Sequence, residues 1–288
     1  MLRRRQLLRA SLGLLATAAL PARSSAQTII ASQLLADNLY LFQGAGQNVV
    51  VARQPDSLLL VDGGKMQHAA ALLDTLSNQF SFLPVHTLIN THWHPEQTGL
   101  NALLADEVVD IIAHENTRRH LSATSGATGI PGRTFSTTHT ITLGNEQVIC
   151  GYLPLAHTDG DIYVHFPTRK VLVAGGVLST NGWPPLDWPS GAWLGGLVAA
   201  LGKLAALADD NTWIVPATGL PIRRDALLAQ HALYQKLQTQ LGTMLERGWD
   251  IDRVLRAKPI AGTQDWPDQE RFLRLAYRSL AQQLALGA

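Results

Sequence analysis

The sequence holds a single cysteine, Cys150, among 288 residues. That excludes an intramolecular disulfide. It also excludes a thiolate-rich zinc or iron–sulfur site, which needs several cysteines around one ion or cluster. Any metal must therefore be held by His, Asp or Glu. Charged residues are scarce, at 16% against 46% hydrophobic residues, a balance that excludes an intrinsically disordered chain and supplies a large core. No apolar run approaches the ~20 residues that span a bilayer. A strong net charge is also missing, because 23 Lys and Arg face 22 Asp and Glu. Five arginines (Arg3, Arg4, Arg5, Arg9 and Arg23) lie in the first 26 residues, which hold no acid. The remainder carries 18 basic and 22 acidic side chains, a net −4. Such a body is a poor nucleic-acid binder, and no basic cluster marks a phosphate or nucleic-acid substrate.

What is present begins with those arginines. A basic head, an apolar stretch over residues 10–20, then Pro21 and small residues ending in Ser24-Ser25-Ala26 give the three parts of a secretory signal. The run Arg4-Arg5-Gln6-Leu7-Leu8-Arg9 resembles a twin-arginine export signal. Cleavage is expected after Ala26, leaving residues 27–288 as one domain in the periplasm, with a small-molecule substrate and no membrane span.

Short apolar and β-branched runs predict strands over residues 48–52, 58–61, 85–89, 108–113, 135–143, 147–153, 161–166, 170–174 and 213–215. Helical patterns cover 68–76, 192–208, 225–247 and 268–286. Strands mixed with helices over this length predict an α/β sandwich. Two loops read as mobile or functional, 122–132 and 178–191. Residues 42–47, Phe-Gln-Gly-Ala-Gly-Gln, read as a flexible hairpin flap. Trp93, Trp183 and Trp188 are candidates for an aromatic cleft wall.

The informative segment is Asn90-Thr91-His92-Trp93-His94-Pro95-Glu96-Gln97-Thr98-Gly99, which follows the strand at 85–89. In extended backbone, residues i and i+2 share a side, so His92 and His94 can approach one ion together. Upstream, a buried strand ends in Val61-Asp62-Gly63-Gly64, and downstream Leu155-Ala156-His157-Thr158-Asp159-Gly160-Asp161 opens another. Together these motifs resemble the metallo-β-lactamase superfamily, from about Asn48 through residues 216–221, with weaker similarity at 274–280.

The resemblance implies a four-layer αββα sandwich with a metal site at one edge. It matches His92, His94 and His157 to the three histidines of the family's first zinc site. Three neutral imidazoles leave the fourth tetrahedral position for water. The second site does not match. The Asp and His of the family's H-x-H-x-D-H loop are Glu96 and Gln97, the bridging Asp falls on Gly176, and the last His falls on Thr218. One zinc per chain is therefore expected. Glu96 is placed either to carry a proton as general base or to orient a ligating histidine. Asp62 is expected to bond the ligand loop, and Asp159 and Asp161 to cap and turn the strand entry. Two readings stand: a mononuclear zinc hydrolase acting on a small lactam, lactone, ester or thioester, or a non-catalytic metal- or ligand-binding protein on the same scaffold.

Overall fold

The computed structural model describes residues 29–124, 128–262 and 266–286. The leader, residues 1–26, lies outside them, as do residues 125–127 of the expected loop at 122–132.

Among the described residues, twelve strands form two sheets. The first runs β1 (Ala31–Ala36), β2 (Leu39–Gln43), β3 (Val49–Arg53), β4 (Leu58–Val61), β5 (Val85–Ile89), β6 (Asp110–His114) and β7 (Arg133–Phe135) in that spatial order. It is antiparallel through β4 and parallel from β4 to β7. The second runs β12 (Trp213–Thr218), β11 (Val171–Ser179), β10 (Ile162–Phe166), β9 (Glu146–Tyr152) and β8 (Thr138–Leu143). Only its β11–β12 pair is parallel.

The side-chain alternation of the strands builds the layers. Along β4, Leu59 and Val61 join β3 residues Val50 and Ala52 in a core that also holds Cys150, Val164 and Val173 of the second sheet. Leu58 and Leu60 turn the other way, onto Ala69, Leu72 and Leu76 of helix α1 (Met66–Gln79). Both faces of β4 are covered, which is why its sequence is a continuous apolar run rather than an alternation. In the second sheet, Leu172 and Ala174 face outward onto Leu197 and Leu201 of α3 (Leu194–Leu207) and Tyr234 and Leu237 of α4 (Arg224–Glu246). Helices α5 (Ile251–Ala257) and α6 (Gln269–Leu286) close that side through Val254 and Phe272. The remaining helix, α2 (Glu115–Ala123), follows β6 directly. The result is the αββα sandwich expected from the sequence. Among the described residues no helix is long and apolar enough to cross a membrane.

Cys150 sits in the inner core, where burial pushes its thiol up to about 12; it is a packing residue and not a nucleophile. At one edge of the sandwich, backbone bonds join the two sheets. Asn48 N donates to Ala217 O at 2.9 Å and Ile162 N to Thr91 O at 2.8 Å. The loops that follow β4, β5, β9, β11 and β12 meet at this edge.

Candidate metal centre

The histidine loop leaves the end of β5 and is tied down at once. Asn90 and Asn101 exchange side-chain amide bonds at 3.0 and 2.8 Å. Asp62, at the end of β4 with φ 66°, accepts from Thr91 N at 2.7 Å and Thr91 Oγ1 at 2.8 Å. Asp62 thus bonds the ligand loop, as expected. It is buried, and burial pushes its carboxyl up to about 7 against the opposing bonds from Thr91. His157 is anchored in the same way from the second sheet. Asp161 accepts from His157 N and Thr158 N, both at 2.7 Å, and from Thr158 Oγ1 at 2.8 Å. Asp161 therefore caps the turn. Asp159 has a different task, a hydrogen-bonded contact of its Oδ1 with His120 Nε2 at 2.9 Å.

These anchors bring His92, His94 and His157 together, each offering one ring nitrogen, all within 4.8 Å of one another. His157 Nε2 lies 3.2 Å from His92 Nε2 and 3.0 Å from His94 Nδ1. Ligand nitrogens around a tetrahedral ion with bonds of 2.0–2.1 Å are ~3.3 Å apart, close to the two spacings that His157 Nε2 makes. The outer nitrogens settle the tautomers. His157 Nδ1 donates to Pro185 O. His94 Nε2 lies 3.4 Å from Asp187 Oδ2. His92 Nδ1 lies 3.2 Å from Thr91 Oγ1, whose own proton goes to Asp62. A neutral ring that donates from its outer nitrogen to such an oxygen presents a lone pair at its inner nitrogen. Three lone pairs at this spacing repel unless a cation lies among them, so the donor set fits a metal. Burial, reinforced by neighbouring imidazoles, drives the pKa of His92 well down and that of His157 to about 4. Both rings are therefore neutral, the form that binds metal.

A cavity of about 420 Å³ opens on this cluster. Its walls include Glu96, Gln97, Gly176 and Thr218, so all four positions of the dismantled second site do meet the histidines. None restores it. Gly176 has no donor, and a Cβ there would lie 2.2 Å from His157 Cδ2 and 2.8 Å from His92 Cε1. The imidazoles fill the space of any side chain. The Thr218 hydroxyl is taken by Ser179 Oγ at 2.8 Å. Glu96 is partly exposed and faces Lys65 Nζ at 4.0 Å. Among the described residues the three histidines are the one group of His, Cys, Asp or Glu gathered tightly enough to hold an ion.

Several expectations are refined. Of the three tryptophans, only Trp183 lines this cavity, and its ring also stacks on Phe272 at 4.9 Å. Trp93 is a buttress, stacked on His120 and edge-on to His94, each at 4.4 Å. Trp188 lies under Arg278. The segment at 42–47 is a wall and not a free flap. Phe42 and Ala45 are fully buried, and Lys65 N donates to Ala45 O at 2.8 Å. The loop at 178–191 supplies Pro185 and Asp187 to the rings of His157 and His94. Neither residue was singled out from the sequence. Asp187 lies 93 positions from its partner His94, and no local spacing signals the contact.

The family model described as "Metallo-beta-lactamase superfamily" matches residues 43–219. The 2,4-dinitroanisole O-demethylase subunit alpha of Nocardioides sp. (strain JS1661) is 29% identical over 189 residues, 64% of this chain and 55% of that protein. Metallo-beta-lactamase IND-1 of Chryseobacterium indologenes is 24% identical over 172 residues, 60% of this chain and 70% of that one. Metallo-beta-lactamase type 2 of Bacteroides fragilis is 29% identical over 164 residues, 53% of this chain and 65% of that one. The chain thus spans little more than half the length of the demethylase subunit. A metallo-beta-lactamase structure from Pontibacter korlensis superposes with a TM-score of 0.62 at 19% identity, over 72% of this chain and 99% of that one, which speaks to the fold alone. The family match covers more than half of the chain and every wall of the histidine cavity, and it makes this chain a member of the metallo-beta-lactamase superfamily.

Proposed function

We propose that this chain is a mononuclear zinc hydrolase for small carbonyl compounds: a lactam, lactone, ester or thioester. The observation that carries the reading is the convergence of three imidazole nitrogens, with His157 Nε2 3.2 Å from His92 Nε2 and 3.0 Å from His94 Nδ1, and with the outer nitrogens turned to protein oxygens. Structural histidines do not need their lone pairs pooled. His92, His94 and His157 hold the ion, and Thr91, Asp187 and the Pro185 carbonyl orient them. When bound, zinc polarises a carbonyl and makes water acidic near neutral pH. The chain itself supplies the proton traffic. Glu96 lines the same cavity, and its carboxylate takes a proton from the attacking water and returns it to the leaving group. Trp183 gives the substrate an apolar wall.

Residues 1–26 direct export, by the twin-arginine route, to the periplasm, and residues 27–288 form one domain. The support for this is the sequence pattern of the leader.

Turnover tests the catalytic reading. Zinc-supplemented mature protein is offered a panel of lactams, lactones, esters and thioesters, with 2,4-dinitroanisole added because of the demethylase relative. Hydrolysis lost in His92→Ala supports the proposal. A zinc-loaded protein inert to the whole panel favours the binding-protein reading, to which the loss of ligands at Gln97, Gly176 and Thr218 also leans.

A further inference from the structure

We propose that His120 and Asp159 are positioning residues for the metal ligand His94, and that they act on it through the ring of Trp93. The inference rests on the three-histidine metal site of the reading above and is independent of turnover.

His94 is the least fixed of the three ligands. His92 and His157 are buried, whereas His94 is half-buried. Its outer nitrogen also has the longest polar contact, 3.4 Å to Asp187 Oδ2, against 3.2 Å at His92 and a short bond from His157 to Pro185 O. A contact of that length holds a ring loosely. The His94 ring meets Trp93 as well, edge-on, with centroids 4.4 Å apart and planes at 71°.

Trp93 needs a support of its own. Its indole Nε1 is buried and makes no hydrogen bond, so packing sets the plane of the ring. The flat contact is with His120, in the last turn of α2, whose imidazole stacks on Trp93 at 4.4 Å with 16° between the planes. His120 is pinned in turn, because its Nε2 lies 2.9 and 3.0 Å from the two carboxylate oxygens of Asp159. The main chain of Asp159 is fixed from two elements. Its carbonyl accepts from Asn116 Nδ2 of α2 at 2.7 Å and from Tyr152 Oη of β9 at 2.9 Å. The contacts therefore run from His94 to Trp93 to His120 to Asp159, two residues past the ligand His157. They close a loop between a ligand carried by the first sheet and one carried by the second. Groups outside the ligand set that fix ring orientation strengthen metal binding; here the last link to the ligand is a ring contact. As a partly exposed ion pair, His120 and Asp159 would contribute little. Their effect lies in where they hold the Trp93 ring.

Chelator competition on the mature protein tests the proposal. His120→Ala, which removes the stack, and Asp159→Ala, which frees the imidazole to turn toward water, should each weaken zinc binding by ~10-fold. His120→Phe keeps a flat ring on Trp93 and should retain most of the wild-type affinity. In a Trp93→Leu background, His120→Ala should cost less than about 2-fold, because the path is already cut. With Co²⁺ in place of zinc at saturation, the visible ligand-field bands of His120→Ala should shift, since the tilt of a ligand has changed. A merely structural role would lower the Tm of the metal-free protein and leave affinity and bands alone. Unchanged zinc affinity or unchanged cobalt bands in His120→Ala, a full loss in His120→Phe, or a ~10-fold loss that persists in Trp93→Leu would each overturn the proposal. A wild type that binds no zinc overturns the metal-site reading and the proposal with it, whereas a zinc-loaded wild type with silent variants overturns the proposal alone.

Discussion

Gly176→Asp restores, by sequence, the residue that bridges two metals in the wider family, and it should make this protein worse at binding one. The reason is steric. The Cβ alone would sit 2.2 Å from His157 Cδ2, where ordinary contact begins at 3.4 Å, so the ring must withdraw by about 1.2 Å. Metal–ligand distances tolerate only ~0.2 Å, so His157 cannot both make room and ligate. His92 is pressed as well, with its Cε1 at 2.8 Å. Losing one of three ligands should weaken zinc binding by at least ~100-fold, about 2.7 kcal/mol. Overpacking the metal-free core should cost roughly 1–3 kcal/mol, a fall of about 3–10 °C in Tm. Chelator competition gives the first number and a melt of the metal-free protein gives the second. Gly176→Ala is the control, because it adds the clash without the carboxylate, and it should show most of both effects. If Gly176→Asp takes up two zinc ions with undiminished affinity and Gly176→Ala behaves as wild type, the steric argument is wrong.

Other expectations are simpler to state. Glu96→Gln should leave zinc content intact while kcat falls by ~10²–10⁴-fold; full activity in that variant refutes the proton-carrying role. Asp187→Ala frees the outer nitrogen of His94 and should weaken zinc binding by ~10–100-fold without removing a ligand, measured by the same chelator competition; unchanged affinity would show that the 3.4 Å contact orients nothing. Replacing Arg4 and Arg5 by Lys should strand uncleaved precursor in the cytoplasm, read by fractionation; an unchanged periplasmic yield returns the leader to the general secretory class.

The sequence announces the parts of this molecule that obey local rules. The strand β4 is a four-residue apolar run because helix α1 covers one face and the second sheet the other. The His92–His94 pair is legible because strand spacing sets both on one side. The misses have physical causes too. Strand β1 gives no signal because most of it is exposed and carries no apolar alternation, whereas β2 is a largely buried apolar run that the sequence reading misses by placing residues 42–47 in a flap. Strand β11 was expected to stop at Ala174, since Gly175-Gly176 reads as a break. The structure carries it on to Ser179 with irregular register there, and Gly175 takes φ 61°, a conformation that glycine adopts without strain. Helix α5 is one short stretch with a single fully buried side chain, Val254, too little for a periodic signal. The partners of the ligand rings lie beyond any window: Pro185 and Asp187 reach His157 and His94 only through the folded loop after β11.

The central claim is that one three-histidine site is retained and the second is gone, and the metal content of the mature protein tests it most directly. Protein purified with zinc supplementation, desalted and submitted to elemental analysis alongside His92→Ala should hold about one zinc per chain, with none in the variant. Two tightly bound ions per chain, or none in the wild type, would contradict the account.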